Sequence, residues 1–252
     1  KDFSIVTLTT GFPAGGAEKT LDGAIDRLCR ETEASINAGH SVIVLSDRDL
    51  PADTIPIPAL LAVSAVNQTV VRMGKRTGSA IILESGEPRE IHHFALLLGY
   101  GATAINPYLA FDIVADMAGK ELLEGRIGVT TALENYIKAI CKGLLKTMSK
   151  MGISTLRSYR SAQVFEAIGL NSVLVDRFFP GTASRIQGIG LAEIAAEANV
   201  RHTAAFDRAP NAPRFLPSGG RYRFRKDGER HLWTPDSITK LQAATRNNDF
   251  RL

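Results

Sequence analysis

Apolar residues along this chain follow two rhythms, and the balance between them changes near residue 107. Before that point, short runs of β-formers alternate with longer segments whose apolar positions recur every three or four residues, the periods of a strand and of a helix. Phe3 to Thr9 is rich in strand formers and runs into Gly11-Phe12-Pro13-Ala14-Gly15-Gly16, read as a loop that stops the strand. From about Ala17 to Ala38, Leu21, Ile25, Leu28, Cys29 and Ile36 share one helical face, and Gly39 marks the stop. Val42 to Leu45 is a continuous apolar run ending in Ser46-Asp47, the signature of a buried parallel strand with a polar carboxyl end. The unit then repeats: a helix over 58–76, a strand at Ala80 to Leu83, a helix over 89–98, and a strand at Ala102 to Ile105 closed by Asn106-Pro107. Such alternation predicts right-handed βαβ units around a parallel sheet.

After residue 107 helices dominate, at Tyr108 to Ala118 and then at Thr130 to Met151. The second has an apolar stripe of Leu133, Ile137, Ile140, Cys141, Leu144, Leu145 and Met148, with Lys138, Lys142, Lys146 and Lys150 on another face. Gly143 beside the stripe predicts close approach of another element, and Leu144 is assigned to the core. Gly152 to Thr155 is read as a short strand, Tyr159 to Ile168 as a helix ended by Gly169, and Phe179 to Gly190 as a loop-like stretch. Leu191 to Phe206 is a helix, Arg208 to Pro213 a flexible connector, and a hairpin turning at Asp227-Gly228 follows.

Composition narrows the class. A chain of 252 residues holds one large α/β domain or two smaller ones. No window approaches 18 uninterrupted apolar residues, so no membrane span is expected. The two cysteines, Cys29 and Cys141, lie far apart, which excludes a disulfide framework, a Cys-ligated zinc site and a self-contained iron–sulfur cluster and suits a reducing cytoplasm. With no initiator Met and a strand at once, the chain is expected to start inside a larger protein. The net charge of +4 is uneven: residues 200–252 hold eleven Lys/Arg against five Asp/Glu, the rest nineteen against twenty-one. Arg221 to Lys226 interleaves cations with Tyr222 and Phe224, but its period of two favours a hairpin strand with the aromatics inward over a nucleic-acid surface.

Few motifs carry chemistry. The Gly11–Gly16 segment lies between strand and helix, but Ala17-Glu18 follows Gly16 where a phosphate loop needs Lys-Ser/Thr. Gly99-Tyr100-Gly101 precedes a strand and lacks a third glycine, so it is no dinucleotide fingerprint. His92 and His93 point to different sides of a helix, and packed neutral imidazoles fit them better than metal ligands. The densest polar cluster runs from Lys146 to Thr155 and on through Ser158-Tyr159-Arg160 to Gln163. It reads either as a site for an anionic ligand at a strand end or as a solvated lysine stripe beside a continuing core. In the first reading Lys150, Ser154, Tyr159 and Gln163 are the binding candidates, with Tyr159 and Gln163 four apart on one helical face.

Longer runs resemble a known family. His92 to Ala110 resembles the end of the central domain of the glutamate synthase large chain; Asn135 to Ser154, Gln163 to Leu170, Gly181 to Ile186 and Arg201-His202 before Ala205-Phe206 resemble the start of its FMN-binding synthase domain. His231 to Pro235 and Leu241 to Arg246 match in character. The resemblance implies an internal piece: residues 1–112 from the central domain, then 113–252 as the helix-rich opening of a (β/α)8 FMN barrel. It implies an enzyme making glutamate from glutamine and 2-oxoglutarate, with FMN and a 3Fe-4S cluster in the full-length chain and neither bound by this piece alone. Implied partners are the glutamine amidotransferase domain, the remainder of the FMN domain, and an electron-donating small subunit or ferredoxin. Lys150, Ser154, Tyr159 and Gln163 are expected near the flavin or the 2-oxoglutarate pocket. The alternatives are a non-catalytic scaffold, favoured for residues 1–107, and an unrelated anion-binding α/β module.

Overall fold

A computed structural model describes residues 3–206, 218–249 and 251. The chain divides into two compact units, Lys1–Phe206 and Asp207–Leu252. In the first, β1 (Ile5–Thr9), β2 (Gly11–Pro13), α1 (Glu18–Asn37), β3 (Val42–Ser46), β4 (Thr54–Pro56), α2 (Ala59–Arg72), β5 (Ala80–Glu84), α3 (Ile91–Gly99) and β6 (Ala104–Asn106) succeed one another. Strands β1, β3, β5 and β6 make a four-stranded parallel sheet in that order, with Ile43 opposite both Val6 and Ile81. The α/β reading of the first half is therefore observed. Leu8, Ile43, Leu45, Ile81 and Leu83 pack with Leu21, Ile25, Leu28, Val63 and Val66 of α1 and α2 in one core, and their burial is the main stabilising term.

The Gly11–Gly16 segment differs from the expected loop. Gly11–Pro13 is strand β2, paired antiparallel with β4, and Phe12 is buried in the core. The turn after it is fixed by Asn199, far along the chain: Gly15 N donates to Asn199 Oδ1 (2.7 Å), and Asn199 Nδ2 donates to the Gly16 carbonyl (2.8 Å). Pattern reading missed this because an antiparallel pair of three residues is too short to show a period.

Beyond the sheet come α4 (Tyr108–Gly119), α5 (Val129–Lys150), α6 (Leu156–Tyr159), β7 (Glu166–Leu170), α7 (Ser172–Phe178), β8 (Ala183–Ile189) and α8 (Leu191–Phe206). Residue 112 falls inside α4, which packs on α5. The approach expected at Gly143 is present, since a Cβ there would collide with the Ile91 side chain on α3. The α5 stripe is only partly covered: Ile140 and Met148 are buried, but Ile137, Cys141 and Leu145 are exposed. Three expectations in this stretch fail. Gly152, at φ +70, ends α5 and leads into a Thr155-capped turn of helix where a strand was expected. The expected helix from Tyr159 to Ile168 stops at Tyr159, because Ser161 and Gln163 adopt positive φ (59° and 55°), outside the right-handed helical region. The loop-like stretch from Phe179 to Gly190 contains β8, parallel to β7 with register shifts. The β7–α7–β8–α8 succession is a βα repeat; two strands do not define a barrel.

The second unit holds α9 (Pro235–Asn247), started by a Thr234–Ser237 capping box. Its turn at Asp227-Gly228 is present, but Arg221 to Lys226 forms no strand, and Tyr222 and Phe224 are exposed instead of inward. The connector expected at Arg208 to Pro213 lies outside the described residues.

Candidate functional site

In a parallel sheet all strands end on the same side, so their carboxyl ends gather polar residues into one place. Here β3 ends in Ser46-Asp47, β5 in Glu84-Ser85 and β6 in Asn106. Asp47 is buried and accepts from Ser85 Oγ (2.5 Å) and from Gly86 N (3.1 Å). The Tyr108 phenol pKa is raised, first by burial and then by the neighbouring Asp47 carboxylate. Glu84 accepts from Ser46 Oγ (2.8 Å) and Asn106 Nδ2 (3.1 Å) and pairs with Arg48 (3.5 Å), whose guanidinium lies over the Tyr108 ring at 4.6 Å. Each carboxylate is satisfied by its neighbours. The Ser85–Asp47 pair has no imidazole between its partners, so it lacks the relay of a Ser-His-Asp triad.

Two cavities open elsewhere in the first unit. One, of about 500 Å³, is walled by Glu87, Arg89, His93 and Arg201. Glu87 Oε2 accepts from Ala59 N at the start of α2 (3.0 Å). The surrounding protein desolvates Glu87 and pushes its carboxyl above the usual range, although water still reaches it. His93 Nδ1 accepts from Arg89 N (3.2 Å), while His92 is exposed with its ring edge-on to Phe165 at 6.3 Å. Among the described residues no three His, Cys, Asp or Glu side chains gather to hold a metal.

The other cavity, about 280 Å³, is lined by Asn67, Gln68, Tyr100, Ser161, Gln163 and Thr182, with Phe165 stacked on Tyr100 at 5.8 Å. The four residues singled out from sequence are placed differently from one another. Gln163 is exposed on the rim of this cavity; Lys150, the last residue of α5, and Ser154 beyond it are exposed and line neither cavity. Tyr159 is fully buried against Leu98 and Met148, its hydroxyl donating to the Ala95 carbonyl at 3.1 Å. The helical face said to join Tyr159 and Gln163 does not exist, because α6 ends between them. Sequence reading missed Asn67, Glu84, Ser85 and Glu87. A signal was present for two of them: Glu84-Ser85 ends its apolar run as Ser46-Asp47 ends the preceding one.

The family model for the glutamate synthase central domain matches residues 1–171. The glutamate synthase [NADPH] large chain of Bacillus subtilis (strain 168) is 45% identical over 92% of this chain and 15% of its own length. The glutamate synthase [NADH] of Schizosaccharomyces pombe is 39% identical over 98% of this chain and 12% of its own. Ferredoxin-dependent glutamate synthase 2 of Synechocystis is 40% identical over 89% and 15%. The chain thus spans under a fifth of each of these relatives. A solved flavocytochrome B2 mutant superposes on 60% of this chain and 38% of its own with a TM-score of 0.40 at 16% identity.

Proposed function

The chain belongs to the glutamate synthase family, and from that premise we propose that it is one section of a longer large-chain polypeptide, acting as scaffold between catalytic domains. That polypeptide forms glutamate from glutamine and 2-oxoglutarate by reductive transfer of ammonia at an FMN site, in the cytoplasm. Its neighbours are a glutamine amidotransferase domain and the rest of the synthase domain, which residues 113–252 open. Electrons reach it from a small subunit or from ferredoxin, and this section contributes part of the wall of the ammonia tunnel.

The observation that carries the scaffold reading is the closed polar network at the carboxyl edge of the sheet: Asp47 and Glu84 spend their lone pairs on Ser85, Gly86, Ser46, Asn106 and Arg48. Such a network fixes strand ends and engages all four carboxylate oxygens in bonds within the fold. The residues present do not fit the family's redox groups. Iron–sulfur clusters are held by several thiolates, and the whole sequence has Cys29 and Cys141 alone. The Gly15 amide, at the glycine turn before α1, donates to Asn199 and is not open to an anion. In the full-length enzyme Asp47→Ala should lower the melting temperature and reduce glutaminase and synthase half-reactions in the same proportion. Selective loss of the synthase half-reaction at an unchanged melting temperature overturns the scaffold reading.

We propose a second, local role after α5. Lys150, Ser154 and Gln163 face the flavin or the 2-oxoglutarate of the synthase domain, and Tyr159 anchors their turn in the core. Exposure of the first three, on a segment held by a buried tyrosine, supports this. Lys150→Ala should raise the KM for 2-oxoglutarate or lower flavin content and spare glutaminase activity; unchanged synthase kinetics with full flavin content removes Lys150 from the site.

A further inference from the structure

The cavity of about 500 Å³ is walled by charges of both signs that the fold keeps apart. Glu87 and Arg89 lie on the loop between β5 and α3, and Arg201 comes from α8, far along the chain. Both guanidiniums act on the Glu87 carboxylate, so the three groups meet around one space. They do not neutralise one another: among the described residues neither arginine forms an ion pair with Glu87, and Arg89 pairs with no carboxylate. Arg201 reaches Glu197 on its own helix at 3.7 Å, with the two side chains 66% and 63% exposed, a pair of little energy. Glu87 gives Oε2 to the Ala59 N–H (3.0 Å), and its Oε1 accepts no bond from a described residue. All three residues are exposed, so a ligand can reach them.

The pattern of charge selects the ligand. A simple anion would satisfy the two arginines but oppose Glu87, on which Asp47 already adds a second negative charge. A simple cation would do the reverse. A zwitterion completes both sides at once, with a carboxylate for the planar guanidiniums and an ammonium for Oε1. The rest of the wall is apolar: Leu60 and Leu96 are half-buried there, and Pro88 and Leu97 are buried behind them. No Phe, Tyr or Trp lines the cavity, so it offers no platform on which a base would stack. A polar side chain laid on the leucines would leave its donors and acceptors unpaired, whereas an apolar one would lose water-exposed surface.

We propose that this cavity binds a free α-amino acid with an apolar side chain, its ammonium on Glu87 Oε1, its carboxylate between Arg89 and Arg201, and its side chain on Leu60 and Leu96. A volume of about 500 Å³ holds one such molecule with room for its hydration. The site stands apart from the flavin reading, since it uses none of Lys150, Ser154, Tyr159 and Gln163.

The test is amide hydrogen exchange on the full-length polypeptide, titrated with L-leucine at constant ionic strength. Leucine should slow exchange saturably in the peptides that cover 58–60, 86–97 and 201. 4-Methylpentanoate, which lacks the amine, and 3-methylbutylamine, which lacks the carboxylate, should each need roughly tenfold more or beyond for half-saturation. L-Asparagine, a polar side chain of nearly the same shape, should be weaker by a similar factor. Glu87→Gln keeps an oxygen for Ala59 N but turns an NH2 toward the ammonium, and Arg89→Met removes one guanidinium; both positions are exposed, so folding is little at risk. Each should raise the half-saturating leucine concentration by roughly tenfold. The two differ on the acid alone: Glu87→Gln should leave 4-methylpentanoate no weaker, while Arg89→Met should weaken it. The proposal is overturned by exchange that does not respond to leucine, by a half-saturation unmoved in both variants, or by the acid, the amine or asparagine protecting as well as leucine. None of these readings depends on synthase turnover, so the scaffold and flavin roles can fail without it.

Discussion

The carboxyl edge of the four-stranded sheet and the turn-rich stretch from 150 to 190 carry the same kinds of polar side chain and treat them in opposite ways. At the sheet edge, Ser46, Asp47 and Ser85 are buried and bonded to one another or to neighbouring backbone. In the later stretch Lys150, Ser154 and Gln163 face solvent, and the apolar Ile168 and Ile186 of β7 and β8 are 73% and 59% exposed. The first region finishes its own folding; the second keeps groups uncommitted. A polar residue at a strand end is therefore no sign of a site until its partners are counted.

The largest effect should come from the region that closes on itself. Ile43, fully buried in the central strand β3, contacts the core from both sides of the sheet register, and Ile43→Ala should destabilise by about 2–5 kcal/mol. Denaturant unfolding of the full-length protein measures it, and a loss below about 1 kcal/mol would mean that the sheet is not the main core.

The same chemical change made in both regions sharpens the contrast. Ser85→Ala takes a donor from buried Asp47 and should cost about 1–3 kcal/mol. Ser154→Ala, at an exposed position, should stay within about 0.5 kcal/mol. Equal losses in thermal melts would break the comparison.

This contrast also explains what the sequence revealed. Apolar runs such as Val42 to Leu45 and helical stripes such as Leu21-Ile25-Leu28 are set by burial, which leaves a period, and they appear where the pattern puts them. From 150 to 190 the chain is directed by left-handed residues at Ser161 and Gln163, by a helix of four residues, and by strands with mixed exposure. None of these leaves a period, so a strand was read as helix and another as loop. The family resemblance was legible because it rests on residue identity over long runs. The Asn67 cavity was not, since its parts come from segments brought together only by the fold: α2, the end of α3 and the Pro180–Thr182 turn.

Leu144 tests the boundary between the regions. It was assigned to the core by its place in the α5 stripe, yet it is half-buried, packed against the small cluster of Leu98, Met148 and Tyr159. Leu144→Ala should therefore cost about 1–2 kcal/mol, below the range for a fully buried leucine. A loss of about 4 kcal/mol would show that another part of the full-length protein covers this face.

The smallest effect should come from Glu87, an exposed carboxylate beside the sheet edge that the cavity wall partly desolvates. Desolvation raises its pKa in the folded state above the ordinary value of 4.5, and the Ala59 N–H bond offsets this only in part. A raised carboxyl pKa means that the folded protein holds the proton more tightly than the unfolded chain does. Stability from this group is then greatest at low pH, falls as pH rises from the unfolded pKa through the folded one, and is level above it. At neutral pH the ionised group is a small liability. Glu87→Gln keeps an oxygen to accept from Ala59 N but cannot ionise, so it should be neutral to slightly stabilising at pH 7 and should flatten that slope. Melting temperatures of both forms between pH 4 and pH 8 decide it. If the variant is less stable at pH 7 and keeps the slope, Glu87 is held by its cationic neighbours Arg89 and Arg201, and the cavity wall belongs with the closed network after all.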